Sequence, residues 1–216
     1  MYDSVRVAFR GFNEPFEGVV HWMYLDVRGL VTIGVGNLID PLEVALALPF
    51  HSLTAPGTTA TETQISEEWR RIKGDPTLST RGYKACESLT QLRLDDNAVN
   101  ALIASRLAGN EASLKKKLAF AHFDTWPADA QLGLLSMAWA LGPGGPSSFP
   151  RFAAACRELD FVTAAGECTI SEQGNPGVAP RNRANRILFR NAAVIRTGAG
   201  YDPARMYYPS SFGPSS

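Results

Sequence analysis

Residues 128–142, ADAQLGLLSMAWALG, contain one acidic residue and no basic one, so a helix built from them has no face suited to water. A helix apolar all round must be wrapped by other elements, and candidates for the wrapping flank it on both sides. Upstream, Val99, Leu102, Ile103, Leu107, Leu114 and Leu118 recur at helical spacing behind Asp95 or Asp96 as a cap, with Gly109-Asn110 as a point where the helix could divide. Downstream, PRFAAACREL and DFVTAAGEC read as two short helices, and residues 180–197 as a basic amphipathic helix opened by Pro180. The carboxyl half therefore predicts an all-helical lobe, and 216 residues supply enough chain to bury its core without staples.

The amino-terminal part has a different period. Val5, Phe9 and Phe12 fit a helix over residues 3–12, and Pro15 would break a helix running straight into Glu17 unless Asn13 caps a fresh turn with Pro15 in its opening positions. Val19 to Tyr24 and Leu30 to Val35 are runs of β-branched and aromatic residues separated by Asp26-Val27-Arg28-Gly29, which predicts a hairpin. The hairpin sets Asp26 at the corner and brings Thr32 back beside it. Gly34 and Gly36 allow close approach of backbone or ligand. Glu17 lies between Phe16 and Gly18, an apolar approach that favours a neutral, proton-donating acid, whereas Asp26 lies in a polar turn. Two carboxyl groups in unlike surroundings suit glycoside hydrolysis, which needs one acid to protonate the leaving oxygen and one base to activate water. Glu14 is a rival acid, but it breaks the spacing to Asp26.

Glu17-Gly18, Tyr24-Leu25-Asp26 and Thr32-Ile33-Gly34-Val35-Gly36 together resemble the catalytic signature of the phage-type lysozymes, the endolysin muramidases of glycoside hydrolase family 24. The resemblance implies Glu17 as general acid, Asp26 as the residue that positions water, and Thr32 as its helper. It also implies inversion, with carboxyls roughly 6.5–9.5 Å apart. Tyr24, Gly34, Trp139, Phe149 and Arg183 are then supporting or substrate-binding candidates. Arg183 belongs to Asn182-Arg183-Ala184-Asn185-Arg186, which is similar to the family's closing motif and would pair it with Glu17. Trp139 either stacks on sugar or is buried. Three features depart from the family: Asn37 stands in place of a His, Ala140 in place of a polar sugar contact, and the charge is balanced where many members are basic.

That balance, 21 basic against 21 acidic residues, gives no electrostatic case for nucleic acid. Cys86, Cys156 and Cys168 lack C-x-x-C spacing, which argues against a zinc site or disulfide framework while leaving a Cys156–Cys168 bridge open. His21, His51 and His122 are scattered, and neither metal nor cofactor is expected. No signal segment and no membrane span are read, so a chain made in the cytoplasm would need release or injection to act on the wall in the periplasm.

The expectation is therefore an α+β, mostly α, lysozyme-like protein. One lobe covers about residues 13–93, with an insertion near 41–92. A second covers about 94–197 together with the helix at 3–12, and residues 198–216 form an extended, weakly ordered tail. Its partners would be peptidoglycan glycan strands, with an immunity protein or a delivery apparatus compatible. A lytic transglycosylase and a non-cutting glycan-binding module are the alternatives.

Overall fold

The computed structural model describes residues 1–55 and 57–212. The chain is mostly helical with a small sheet of short strands, an α+β architecture. It divides into two compact units, Glu17–Arg106 and Met1–Phe16 with Leu107–Ser216.

Helix α1 runs over Asp3–Glu17 and buries Val5, Phe9 and Phe12, the predicted stripe. The break expected at Pro15 does not occur. Pro15 lies in the last turn, where its missing N–H would have paired with the carbonyl of Gly11, and Gly11 is exposed to water. One absent bond near a helix end is cheap, so the helix carries on to deliver Glu17 as its final residue.

In the unit that follows, Gly18 at φ 70° turns the chain into β1, Val20–Leu25. Strand β1 pairs antiparallel with β2, Val31–Gly34, which pairs with β3, Asn37–Leu38, to give a three-stranded meander. A register irregularity between Val20 and Tyr24 turns Val20, Met23 and Leu25 into the core and leaves Trp22, Tyr24 and Asp26 half-exposed.

The segment expected as an insertion has secondary structure of its own. It contains α2 at Leu42–Leu46, then β4 at His51–Ser52, and then α3 at Glu62–Lys73. Two single-turn helices follow, α4 at Leu78–Arg81 and α5 at Lys84–Glu87, before β5 at Leu92–Arg93 pairs back with β4. Helix α3 starts at a capping box between Thr61 and Gln64. Its buried face, Ile65, Glu68 and Ile72, packs in the unit, and Glu68 accepts from the N–H groups of Gln91 (2.6 Å) and Leu92 (3.2 Å), pinning β5. Helix α6, Asp96–Lys115, is capped by Asp95, whose Oδ1 accepts from Ala98 N at 2.7 Å. It passes through Gly109-Asn110 without dividing, since one exposed glycine costs only about 1 kcal/mol in a helix this long.

The helical unit is organised around α7, Ala128–Leu141, of which Ala128 through Trp139 are buried. Helix α10 (Ala179–Thr197) packs directly on it, α9 (Phe161–Glu167) packs on α10, and α8 (Pro150–Arg157) packs on α9. At Gly133, α7 leaves room for a ring of α10: a Cβ there would sit 2.9 Å from a ring carbon of Phe189. The rings of Trp126 and Phe161, and of Phe152 and Phe189, meet edge to face at 5.3 and 5.2 Å. Cys86, Cys156 and Cys168 are buried free thiols, so the Cys156–Cys168 bridge is not formed.

The chain after residue 197 is no loose tail as far as Phe212. Asp129, fully buried in α7, accepts from Tyr207 N at 2.9 Å and Tyr208 N at 3.0 Å. Asn191 of α10 donates to Ser210 O and accepts from Phe212 N. Buried polar groups need partners, and here the two side chains of the core draw the carboxyl-terminal segment down to supply them. Among the described residues no helix is long and apolar enough to cross a membrane.

Candidate functional site

The site lies in the unit of Glu17–Arg106. Its anchor is the hairpin corner. Asp26 Oδ1 accepts from the N–H groups of Arg28 and Leu30, both at 2.9 Å, while Asp26 N donates to Leu30 O and Gly29 N to Asp26 O. Asp is suited to this because its short carboxylate reaches its own backbone two and four residues on. Gly29, at φ 73°, completes the turn. From outside, Lys73 of α3 donates to Gly29 O at 2.8 Å and pairs with Asp40 at 2.6 Å, and Asp40 in turn accepts from Val31 N. Both ends of the turn are thus braced by Lys73, from the segment expected as an insertion, together with Asp40. Among the described residues Asp26 Oδ2 has no hydrogen-bond partner.

Thr32 stands directly across the hairpin from Tyr24, on the face that also carries Asp26. Its hydroxyl donates to Leu30 O at 3.1 Å, which leaves its oxygen lone pairs as acceptors. Two residues further along β2, Gly34 adopts φ 66°, and a Cβ there would come within 2.9 Å of Asn37 Oδ1. Asn37 accepts from Val35 N at 3.2 Å, so it closes the β2–β3 turn. Gly36, at φ 72°, marks the other critical approach: a Cβ there would sit 3.8 Å from Glu17 Oε2 and 3.7 Å from Arg106 Nη1. The Arg106 guanidinium also donates to Gly36 O at 2.7 Å.

A cleft of about 460 Å³ opens on this arrangement. Asp26, Thr32, Gly36 and Asn37 line it from the sheet, Leu102 and Arg106 from α6. Glu17 is not a lining residue, yet its carboxylate abuts Gly36 and Arg106, which are. Tyr24 ties the parts together electrically. Burial raises its phenol well above the usual range, the Glu17 and Asp26 carboxylates raise it further, and Arg106 opposes them. The Tyr24 hydroxyl therefore stays a neutral donor. Desolvation lowers Arg106, while Glu17 and Tyr24 act to raise it, and an arginine in such company stays charged.

Of the residues expected from sequence, Glu17, Tyr24, Asp26, Thr32 and Gly34 gather around this hairpin. Trp139, Phe149 and Arg183 belong to the helical unit. Trp139 is 3% exposed and packs on Phe9 with ring centroids 4.9 Å apart, so its face is not open to a sugar. Phe149 is half-buried at the start of α8. Arg183 is exposed in α10. The buried arginine of α10 is Arg181, whose Nη1 donates to Asn13 Oδ1 (2.8 Å) and to Ser136 O and Oγ, with its guanidinium 4.8 Å from the Phe16 ring. It fixes the last turns of α1.

Arg106 is the site residue that sequence reasoning missed. The signal was present: Arg106 follows Val99, Leu102 and Ile103 by seven, four and three residues, so a charge occupies a position on the apolar stripe. No protein-family profile matches the chain, and no curated protein matches it.

Proposed function

We propose that this protein is a glycoside hydrolase that cuts the β-1,4 bond between N-acetylmuramic acid and N-acetylglucosamine in peptidoglycan. The observation that carries the reading is the unequal use of the two Asp26 oxygens. The turn consumes Oδ1, Oδ2 is left without a partner among the described residues, and the acceptor hydroxyl of Thr32 stands on the same hairpin face and lines the same cleft. A water donating to both would be held with a lone pair free to attack.

In the reaction, Glu17 gives its proton to the glycosidic oxygen as the bond from that oxygen to the anomeric carbon breaks. The water held by Asp26 and Thr32 forms the new bond from the opposite face and loses a proton to Asp26, so configuration inverts. Arg106 faces the Glu17 carboxylate that this step leaves negative, and the Tyr24 hydroxyl is a fixed donor beside both acids. The lysozyme-like resemblance of the Glu17, Asp26 and Thr32 spacing supports the same assignment, and glycan strands of the bacterial wall are the proposed partner.

The test uses purified sacculi. Wild-type protein should lower turbidity and release new reducing ends, and Glu17→Gln should lose activity by about 10²-fold or more. A Glu17→Gln variant that clears sacculi at the wild-type rate removes Glu17 from the mechanism. Anhydro-muramic ends in the products would replace hydrolysis by a lytic transglycosylase, and binding without release would leave a glycan-gripping module.

A further inference from the structure

We infer that Tyr83, propped by Trp22, is a carbohydrate-stacking platform that extends the proposed site along the glycan, an inference that rests on the hydrolase reading above. Tyr83 comes from the 41–92 segment and is 36% exposed, an unusual position for a ring that is also firmly held. The Trp22 indole N–H donates to Tyr83 O at 2.9 Å, and their ring centroids lie 6.3 Å apart. On its other side Tyr83 meets Tyr24 edge-on at 6.1 Å, and its hydroxyl lies 3.8 Å from where a Gly18 Cβ would be, next to Glu17.

The aromatic run Tyr24, Tyr83, Trp22 is therefore unbroken from the acid pair outward. Its far end is fixed as well. Arg93 donates to the carbonyls of Thr90, Leu92 and Glu87, and its guanidinium sits 5.3 Å from the Trp22 ring centroid. A pyranose has an apolar C–H face and a hydroxyl rim, so it suits a flat ring bordered by phenol hydroxyls. A platform already ordered before binding loses little entropy when the sugar arrives. The N-acetylated sugars of the wall are the ligand class, and the contact of Tyr83 with Tyr24, which feels the charge of both Glu17 and Asp26, makes a strand already held at Asp26 the occupant.

The probe is a hexamer of β-1,4-linked N-acetylglucosamine titrated into the non-cutting Glu17→Gln protein and followed by NMR. The Trp22 indole and Tyr83 ring resonances should move together on saturation. On solubilised glycan strands, Tyr83→Ala should raise KM about tenfold, with kcat changed less than about twofold, and Tyr83→Phe should behave as wild type. A hexamer that moves neither ring overturns the inference, as does an unchanged KM in a folded Tyr83→Ala protein. If Tyr83→Ala does not fold, the titration of the intact ring decides alone. A wild type that cuts no sacculi while the hexamer still moves both rings would sink the hydrolase reading and leave the platform standing. Cutting without ring movement would do the reverse.

Discussion

Asp26 and Asp129 are held by the same device and used in opposite ways. Each carboxylate accepts two backbone N–H groups, from Arg28 and Leu30 in one case and from Tyr207 and Tyr208 in the other. At Asp129 the bonds divide between both oxygens, Asn191 adds a third donor at 2.8 Å, and the group is fully buried. At Asp26 both bonds fall on one oxygen, and the other stands at the edge of a cleft. A carboxylate whose acceptor sites are used up and sealed from water can only hold the fold together. One that is oriented by a single oxygen is rigid and still able to take a proton.

The sharpest way to break this contrast is to neutralise each group without changing its shape. In Asp26→Asn the side-chain oxygen can still accept from Arg28 and Leu30, so stability should stay within about 1 kcal/mol of wild type while hydrolysis of sacculi falls by about 10²-fold or more. Thermal unfolding and turbidity on the same preparation check both halves. An active Asp26→Asn protein would show that the spare oxygen has no catalytic part.

Asp129→Asn should do the converse. An amide turns a donor toward one of the waiting N–H groups, so unfolding free energy should drop by about 2 kcal/mol with activity intact below the transition. Its pH dependence is a second signature. Burial raises the Asp129 carboxyl above its ordinary 3.8 despite the hydrogen bonds that pull it down, so the folded protein keeps a proton that the unfolded chain has released. Stability should therefore be greatest below that pH and decline as pH rises through the interval just above it. Glu68 is raised in the same direction by burial, so denaturant titrations of Asp129→Asn should keep part of the decline and lose the rest.

What could be read from sequence followed the range of the interactions involved. The α7 segment and the α1 and α6 stripes repeat within one element, and the hairpin is written in adjacent residues, so each was legible. Strands β4 and β5 are two residues each and pair across some forty residues of chain, and no local pattern announces such a partnership. Nothing near Asp129 in the sequence shows its use, because its partners Tyr207 and Tyr208 lie far along the chain. For the candidate site, the Glu17, Tyr24, Asp26 and Thr32 cluster was legible through spacing. The exposed position of Arg183 and the burial of Trp139 depend on how α10 and α7 rotate in their packing, which spacing alone does not fix.

Arg106 sharpens the contrast at smaller amplitude, because it acts on the acid through charge and on the fold through one bond. Replacing it with Met removes the donor to Gly36 O and the cation beside Glu17. Arg106→Met should lower kcat/KM on sacculi by about fivefold, because the loosened turn misplaces the groups that line the cleft. Arg106→Lys keeps a positive donor near Gly36 O and should stay closer to wild type. A folded Arg106→Met protein with wild-type kcat/KM would show that neither the bond to Gly36 nor the cation beside Glu17 serves the site, and Arg106 would drop out of it.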